Sequence, residues 1–257
     1  KKIMIKKDIY KYPKISIITV CLNSEKTIKR CIDSVLSQNY PKDKIEYIVI
    51  DGGSTDKTTK IIKKKSNKIY YWHSKKDKGI YDAMNIGIKK SSGQIIGILN
   101  SDDFYYKNAF RIIKKYFEKE NIDFLFGTVK KDRILHGFWP KKIRWKFNIY
   151  PSHSGGFFIK KEAQKKIGLY NLKFKYSSDR DLFYRMIVKY KLVGLCTKKS
   201  EVLSKFDTDG TSSKVSFFER GLEEARIRLH NQQSLFFVIF ITLAHNLNKL
   251  FNFILKK

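Results

Sequence analysis

Short apolar runs that end abruptly in polar or acidic residues constrain the fold more than any other feature of this sequence. The run Ile95–Leu99 follows Gly93 and leads, after two residues, into the paired carboxylates of Asp102 and Asp103. Its length and its boundaries are typical of a buried strand. Ligands of α/β folds bind at the carboxyl ends of such strands, which makes the acidic pair a candidate site. A solvated turn is the alternative, because Ser-Asp-Asp is also good turn chemistry.

Strands and helices are predicted to alternate ahead of this run. Lys14–Val20, Ile45–Asp51 and Ile69–Trp72 are predicted strands. Between the first two, helical spacing predicts a helix with Ser24 as its N-cap and one apolar face: Ile28, Cys31, Ile32, Val35 and Leu36. A further helix opens within residues 78–85. The alternation predicts an α/β fold with a Rossmann-like, mostly parallel central sheet flanked by helices.

The second half of the sequence is less regular. A helix is predicted over Ala109–Lys119, a strand over Ile122–Val129, and another helix from Asp179. The segment 131–150 mixes aromatic and basic residues, and residues 151–159 are predicted to return to a strand. Aromatic side chains in such a mixture stack on sugars or nucleic-acid bases, or they simply cover the sheet; covering the sheet is favoured.

The C-terminal region differs in character from the rest. Residues 235–244 form an unbroken apolar run, with further apolar and lysine residues after it. The run is shorter than the about 20 residues that cross a bilayer. We expect a main domain over 13–225 and an amphipathic helical tail over 226–257. The tail either lies on a membrane surface, which is favoured slightly, or packs on the domain or a second subunit.

Charge is the outstanding compositional feature. The chain has 257 residues with 54 basic and 24 acidic side chains, a formal net charge of +30. Such a field attracts nucleic acid, anionic lipid or polyanionic substrates, unless it reflects a lysine-rich proteome. The three cysteines have no metal-binding spacing and indicate a reducing compartment. The N-terminus lacks the apolar core of a signal peptide, so a cytoplasmic location is expected.

Five motifs, in this order, resemble those of family 2 glycosyltransferases, which have the GT-A fold. The motifs are residues 17–23, 34–41, 49–56, 77–85 and 100–103. In detail they look like the subgroup that builds bacterial surface polysaccharides, the colanic-acid-type transferases. The resemblance covers roughly residues 13 to 215. It implies a donor half over about 13–104 and an acceptor half over about 105–225.

The resemblance implies a nucleotide-sugar site in the donor half. By this similarity Asp103 binds Mn²⁺ or Mg²⁺, and Asp102 lies near the metal or the ribose. Asp51 is similar to the acid that contacts the nucleotide base. The remaining implied donor contacts are Thr19, Val20, Asn23, Tyr81, Asp82 and Asn85. The chain departs from many members at position 52, where Gly52 replaces a second acid, and at Met84, where many have arginine.

The resemblance also implies a general base in the acceptor half. Ser-Asp-Arg-Asp-Leu at 178–182 looks like the family's acidic motif, in which Asp179 is the base. Asp181 is the runner-up, with helix capping as its expected role. His153 resembles a histidine that precedes the acceptor strand in related enzymes. It is a candidate contact for the acceptor or the diphosphate, and a structural role, the usual one for a lone histidine, is the alternative.

The expected function is inverting transfer of a sugar from a UDP- or GDP-sugar to a glycan or lipid-linked acceptor. The expected location is peripheral, at the inner face of a bacterial membrane with anionic lipid. Two alternatives remain open. A nucleic-acid-binding protein would use the positive charge, but its ordered carboxylates would repel phosphates, so no nucleic-acid partner is expected. A nucleotidyltransferase would use the same metal carboxylates without needing Asp179.

Overall fold

The computed structural model describes most of the chain. Its residues are 12–147, 149–150, 154–206 and 216–254, with side chains described for all except 217, 218 and 245–254.

Strands and helices alternate through the first hundred residues, as the apolar pattern predicts. The elements are β1 (Ile15–Cys21), α1 (Ile28–Leu36), β2 (Ile45–Asp51), α2 (Thr58–Lys63), β3 (Tyr71–Ser74), α3 (Ile80–Lys90) and β4 (Ile95–Asn100).

The second half contains shorter strands and the remaining helices of the described chain. The elements are β5 (Phe104–Tyr105), α4 (Ala109–Lys119), β6 (Phe124–Phe126), β7 (Thr128–Lys130), β8 (Ile134–Leu135), β9 (Phe157–Lys160), α5 (Lys161–Ile167), α6 (Ser178–Tyr184), β10 (Gly194–Cys196), β11 (Val202–Lys205), α7 (Phe217–His230) and α8 (Leu235–Ile254). One π-helical turn, Arg185–Lys189, extends α6.

The central sheet has the predicted mostly parallel arrangement. Its strand order is β10-β6-β9-β4-β1-β2-β3, and β1 pairs in parallel with both β2 and β4. Strand β9 is antiparallel to its neighbours β4 and β6. A smaller sheet has the order β5-β11-β7-β8. Strand β1 has β2 on one side and β4 on the other, so the switch point at which open α/β sheets form their ligand crevice lies where β1 and β4 end.

Two apolar layers bury the faces of the central sheet. On one face, Ile18, Val20, Ile48 and Ile98 pack against the inner side of α3. On the other face, alternate residues of the same strands, including Ile17, Tyr47, Val49 and Leu99, pack on α1 and on Phe110 of α4. Since both faces are covered, the parallel strands are apolar throughout rather than alternating. The core therefore fixes where each strand ends, and with it the position of the loops that follow.

Three local predictions differ from the structure. Helix α1 begins at Ile28 with Thr27 at its N-cap, and the Ser24 hydroxyl instead bonds elsewhere, so the predicted cap is wrong. The third strand begins at Tyr71, two residues later than predicted. The single strand predicted over Ile122–Val129 is two strands in different sheets. The break falls at Gly127, where a Cβ atom would lie 2.1 Å from Leu203 Cδ1.

The C-terminal region is helical, as predicted. Helix α7 runs across the predicted domain boundary near residue 225, and α8 follows after a short turn. A capping box at Ser216 and Glu219 starts α7. In the described part of the chain, no helix combines the length and the hydropathy that crossing a membrane requires.

Candidate active site

The carboxyl ends of β1, β2 and β4 place several of the predicted donor residues at one edge of the sheet. Cys21 is the register partner of Asp51, and Val20 is the partner of Asn100. The loops that follow these strands therefore start side by side. This is the edge at which open α/β sheets bind ligands.

The loops after β1, β2 and β4 are tied together by short polar contacts. The Asn23 side-chain oxygen accepts a bond of 2.9 Å from the Thr55 N–H, and the Asn23 N–H donates to the Ser54 hydroxyl at 2.7 Å. Asn23 has a φ of 50°, a left-handed conformation that asparagine tolerates better than most residues. The Ser24 and Ser101 hydroxyls lie 2.8 Å apart. These contacts hold the three loops in one arrangement.

Asp51 is buried at the centre of this arrangement. Its Oδ2 accepts hydrogen bonds from the Gly53 and Ser54 N–H groups, at 3.2 and 2.9 Å, and from the Ser74 hydroxyl at 2.6 Å. Its Oδ1 accepts from the Ser54 hydroxyl. Burial raises the pKa of Asp51, but bonds from Ser54 and Ser74 outweigh burial and leave the pKa below its ordinary value. Both oxygens are occupied in holding the loops, and the base contact expected of Asp51 stays a prediction.

The paired acids after β4 differ in exposure. Asp103 is buried with 1% of its surface exposed, whereas Asp102 is half-buried. The turn is closed by the Asp103 N–H, which donates to the Asn100 carbonyl at 3.1 Å. The Arg30 guanidinium donates to the Asp102 carbonyl oxygen at 2.7 Å. The backbone of the acidic pair is thus fixed to the rim of the crevice.

The chemistry of this pair fits a divalent cation that is completed by a ligand. Mn²⁺ and Mg²⁺ take hard oxygen donors, often one or two carboxylates together with waters and substrate phosphates. Within the described residues there is no group of three or more His, Cys, Asp or Glu side chains that would hold an ion by itself. The buried Tyr105 hydroxyl, two residues beyond Asp103, has no hydrogen-bond partner among the described groups.

Tyr81 joins the donor half to the predicted base. Its hydroxyl donates to Asp179 Oδ1 at 3.1 Å and lies 3.2 Å from the Tyr176 carbonyl oxygen. The Tyr81 ring stacks on Tyr170 with centroids 5.2 Å apart. Burial, and then the negative charge of Asp179, raises the pKa of Tyr81. The phenol therefore stays protonated and acts as a donor to the carboxylate.

Asn85 of α3 links this helix to the acceptor half. Its amide nitrogen donates to the Tyr170 carbonyl at 2.9 Å, and its amide oxygen accepts from the Tyr170 N–H at 2.9 Å. Asp82 accepts from the Lys78 N–H at 3.1 Å and closes the first turn of α3. Both residues thus have structural contacts, and the donor contacts expected of them stay predictions.

The two acids of α6 have different surroundings. Asp179 is half-buried and faces Tyr81, whereas Asp181 is completely buried. Asp181 accepts from Arg185 Nε at 2.9 Å and from the Asn231 amide at 2.8 Å. A carboxylate held in a buried ion pair is poorly placed to accept a proton from a substrate. The geometry therefore favours Asp179 over Asp181 as a base.

Two of the predicted donor residues turn their side chains into the core. Thr19 is fully buried and accepts a hydrogen bond of 3.0 Å from the Tyr47 hydroxyl. Val20 is 5% exposed and belongs to the apolar layer on the opposite face. Their backbones pair with β2 on one side and with β4 on the other, and the donor contacts expected of both residues stay predictions. His153 lies outside the described residues.

Some polar residues at this edge were not among the sequence predictions. Ser54 and Ser74 hold Asp51, and only Ser54 had a local signal, the Gly-Ser turn. Asp77 lies over Gly52, since a Cβ at position 52 would be 2.8 Å from Asp77 Oδ2. A side chain at position 52 would therefore require the Asp77 carboxylate to move. Burial, with Asp82 and Asp51 nearby, raises the pKa of Asp77.

The sheet, its crevice and the acids at its edge define an α/β protein of the GT-A class. Staphylococcus aureus TarS in complex with UDP superposes with a TM-score of 0.66 at 18% identity, over 84% of this chain and 64% of that chain. The mannosyltransferase PcManGT from Pyrobaculum calidifontis, in complex with GDP-Man and Mn2+, superposes with a TM-score of 0.67 at 14% identity, over 91% of this chain and 69% of that chain. At these identities the likeness shows the fold.

Sequence comparison gives the family. The family model described as Glycosyl transferase family 2 matches residues 16–183, well over half of the chain. The chain belongs to this family. An uncharacterized glycosyltransferase of Mycobacterium tuberculosis is 32% identical over 212 residues, which are 78% of each protein.

Other relatives match over a smaller part of their length. An uncharacterized glycosyltransferase of Rickettsia bellii is 38% identical over 130 residues, but these are 50% of this chain and 18% of that protein. The comparisons confirm glycosyltransferase as the enzyme class and give no support to nucleic-acid binding or nucleotidyl transfer. They do not single out the colanic-acid-type subgroup, which stays a prediction.

Proposed function

We propose that this protein is a metal-dependent inverting glycosyltransferase that moves a sugar from a UDP- or GDP-sugar to a hydroxyl group of a growing glycan. The observation that carries the proposal is the 3.1 Å hydrogen bond between the Tyr81 hydroxyl and Asp179. It brings a half-buried carboxylate of the acceptor half to the helix that follows the donor loops. UDP and GDP-Man in the complexes of the two structural neighbours support a nucleotide-sugar donor.

On the donor side, Asp102 and Asp103 would hold the cation at the end of β4. A bound Mn²⁺ or Mg²⁺ neutralises charge on the leaving diphosphate. The loops containing Asn23 and Asp51 would receive the ribose and base, next to Thr19 and Val20 at the end of β1. The contacts that fasten these loops to one another reduce their freedom before the donor arrives, which lowers the entropic cost of binding.

On the acceptor side, Asp179 would take the proton from the attacking hydroxyl. Direct displacement at the anomeric carbon inverts its configuration and requires a base opposite the leaving group. Tyr81 donates to one carboxylate oxygen and leaves the other for the acceptor. Asp181, closed in its ion pair with Arg185, would position the helix on which Asp179 lies.

The acceptor proposed is a surface polysaccharide, a lipopolysaccharide or a lipid-linked oligosaccharide, with His153 near the acceptor or the diphosphate. Such acceptors are built at the inner face of the bacterial membrane, so a peripheral cytoplasmic location is proposed. The positive charge of the chain supports proximity to anionic lipid.

Turnover of UDP-GlcNAc and GDP-mannose with MnCl2, followed by proton NMR, tests this proposal. Wild-type protein should release nucleoside diphosphate from one of them, and the first sugar product should have the inverted anomeric configuration. Asp179→Asn should lower kcat by on the order of 10²–10⁴ and leave donor affinity within a few-fold. Retained configuration, or normal turnover by Asp179→Asn, would contradict the mechanism. Asp132→Asn, an exposed acid elsewhere, serves as the control.

A further inference from the structure

An exposed apolar strip runs along the first half of α8. Its members are spaced at helical intervals on one side: Leu235, Phe236, Ile239, Phe240 and Leu243. Phe236 is 86% exposed and Phe240 is 61% exposed. The opposite side of the helix contains Val238 and Ile241, which are buried against the protein. Helix α8 is therefore already seated on the domain, and the strip is a second apolar surface that faces solvent.

The aromatic and basic segment 139–146 lies beside this strip. Trp145 is 55% exposed and packs edge-on against Phe237 of α8, with ring centroids 5.0 Å apart. Lys142 lies over the Trp139 ring at 4.5 Å. The exposed cations of the segment are Lys141, Lys142, Arg144 and Lys146. We name the strip and this segment together the docking face.

A buried arginine makes the docking face one unit. Arg228 of α7 is 1% exposed, and its guanidinium donates to the carbonyls of Arg144 and Trp145 at 2.6 and 2.9 Å. It also donates to the side-chain oxygen of Gln233 at 2.9 Å and lies over the Phe147 ring at 4.5 Å. Gln233 belongs to the turn that leads into α8. The arginine thus fixes the segment against the start of the apolar strip.

A cavity of about 380 Å³ opens within the docking face. Its walls include Arg144, Trp145, Tyr184, Ser234 and Phe237. Among the described residues, the Arg144 guanidinium has no carboxylate partner. A cavity that combines a cation, a hydroxyl and aromatic rings suits the phosphate headgroup of a phospholipid whose acyl chains lie among apolar residues.

Charge decides which partner covers this face. No acidic residue occurs between 133 and 161, or after residue 224. A second copy of the chain would bring lysines and arginines of like sign together around the strip. An anionic surface attracts them instead, and tryptophan flanked by lysine is the usual chemistry of a membrane interface. Exposed phenylalanines then enter the boundary between headgroups and acyl chains.

We infer that the docking face binds the surface of an anionic phospholipid bilayer, with α8 lying in the interface and the cavity taking a phosphate headgroup. Asn231, two residues before Gln233, donates to Asp181 on α6. The bilayer would therefore lie next to the helix that carries Asp179. The inference extends the proposed function, because an acceptor carried by the bilayer would reach that helix directly.

Vesicle flotation of the full-length protein tests the inference. The vesicles are phosphatidylcholine alone, or phosphatidylcholine with phosphatidylglycerol. Wild-type protein should float with the anionic vesicles and not with the neutral ones in moderate salt. Phe236→Ser with Phe240→Ser should weaken binding at least tenfold, because both side chains are exposed and their loss leaves the fold intact. Lys141→Ser, Lys142→Ser and Lys146→Ser together should weaken it on the order of 10²-fold, about fivefold per cation.

Matched controls separate this face from general charge and hydrophobicity. Lys60→Ser, Lys63→Ser and Lys64→Ser remove the same charge from exposed positions on and just after α2, and should float almost as well as wild type. An equal loss of vesicle binding in the two triple lysine variants, or unchanged flotation of the phenylalanine variant, would overturn the inference. A dimer that the phenylalanine variant dissociates would also overturn it, in favour of a second copy. Flotation requires no sugar transfer, so UDP and GDP titration of the same variants tests the proposed function separately.

Discussion

Replacing Asp181 by alanine should destabilise the protein without any direct effect on the proton transfer. The carboxylate is fully buried, and its partner Arg185 has a side chain that is 14% exposed. Removing one member of a buried pair leaves the other charge desolvated without compensation, which costs about 3–5 kcal/mol. Arg185 keeps its bonds to the carbonyls of Ile167 and Leu169, so the lower end of this range applies.

The expected loss is about 3 kcal/mol of the free energy of unfolding, which corresponds to a fall in Tm of about 6–12 °C for a chain of this size. Asp181→Asn keeps one oxygen acceptor, so its free energy of unfolding should fall by less. Urea unfolding followed by circular dichroism measures both variants. Asp33→Ala is the control, since its ion pairs with Lys29 and Lys65 are exposed and should contribute less than about 1 kcal/mol.

A loss below about 1 kcal/mol for Asp181→Ala, equal to that of the control, would refute the structural role. If such a stable variant were also inactive, Asp181 would be the base and the assignment of Asp179 would be wrong.

Three further predictions concern other parts of the molecule. Burial raises the pKa of Glu46, but hydrogen bonds outweigh burial and hold the pKa at about 2, below the ordinary 4.5. The carboxylate should therefore contribute about 3 kcal/mol to the free energy of unfolding above pH 4.5, and this contribution should disappear towards pH 2. Glu46→Gln should be destabilising in urea titrations at pH 7 and nearly neutral at pH 2. Gly87→Ala should cost about 1–3 kcal/mol, because its Cβ would lie 2.3 Å from Ile18 Cγ2, and calorimetry measures the fall in Tm. Tyr81→Phe removes one hydrogen bond to Asp179 and should lower kcat about tenfold with little change in donor affinity, measured by steady-state kinetics.

The donor half follows closely from the sequence because its signals are local. Each apolar run of β1, β2 and β4 is buried on both faces, and helix α1 buries four of the five residues predicted for its face, Ile28, Cys31, Ile32 and Val35. Hydrophobic periodicity reports such burial directly. The order of these strands in a parallel sheet then places their carboxyl ends together, which locates the candidate site.

The rest of the fold and of the candidate site depends on contacts between residues that are distant in sequence. Gly127 divides one apolar stretch between two sheets because Leu203, far along the chain, occupies the space beside it. The bond from Ser74 to Asp51 joins the ends of β3 and β2, and the bond from Asn231 to Asp181 joins the end of α7 to α6. Sequence pattern singled out the candidate acids but did not distinguish those that are enclosed by partners from those that are more exposed.

Isothermal titration of UDP and GDP, with and without MnCl2, tests whether the acidic pair after β4 holds a metal ion for a nucleotide donor. Wild-type protein should bind one of the two nucleotides much more tightly with Mn²⁺ present. Asp103→Asn should remove this dependence on Mn²⁺, because a neutral amide is a poor ligand for the ion, whereas Asp132→Asn should preserve it. Absence of binding by either nucleotide in the presence of Mn²⁺, or full Mn²⁺ dependence in Asp103→Asn, would contradict the metal-dependent donor site.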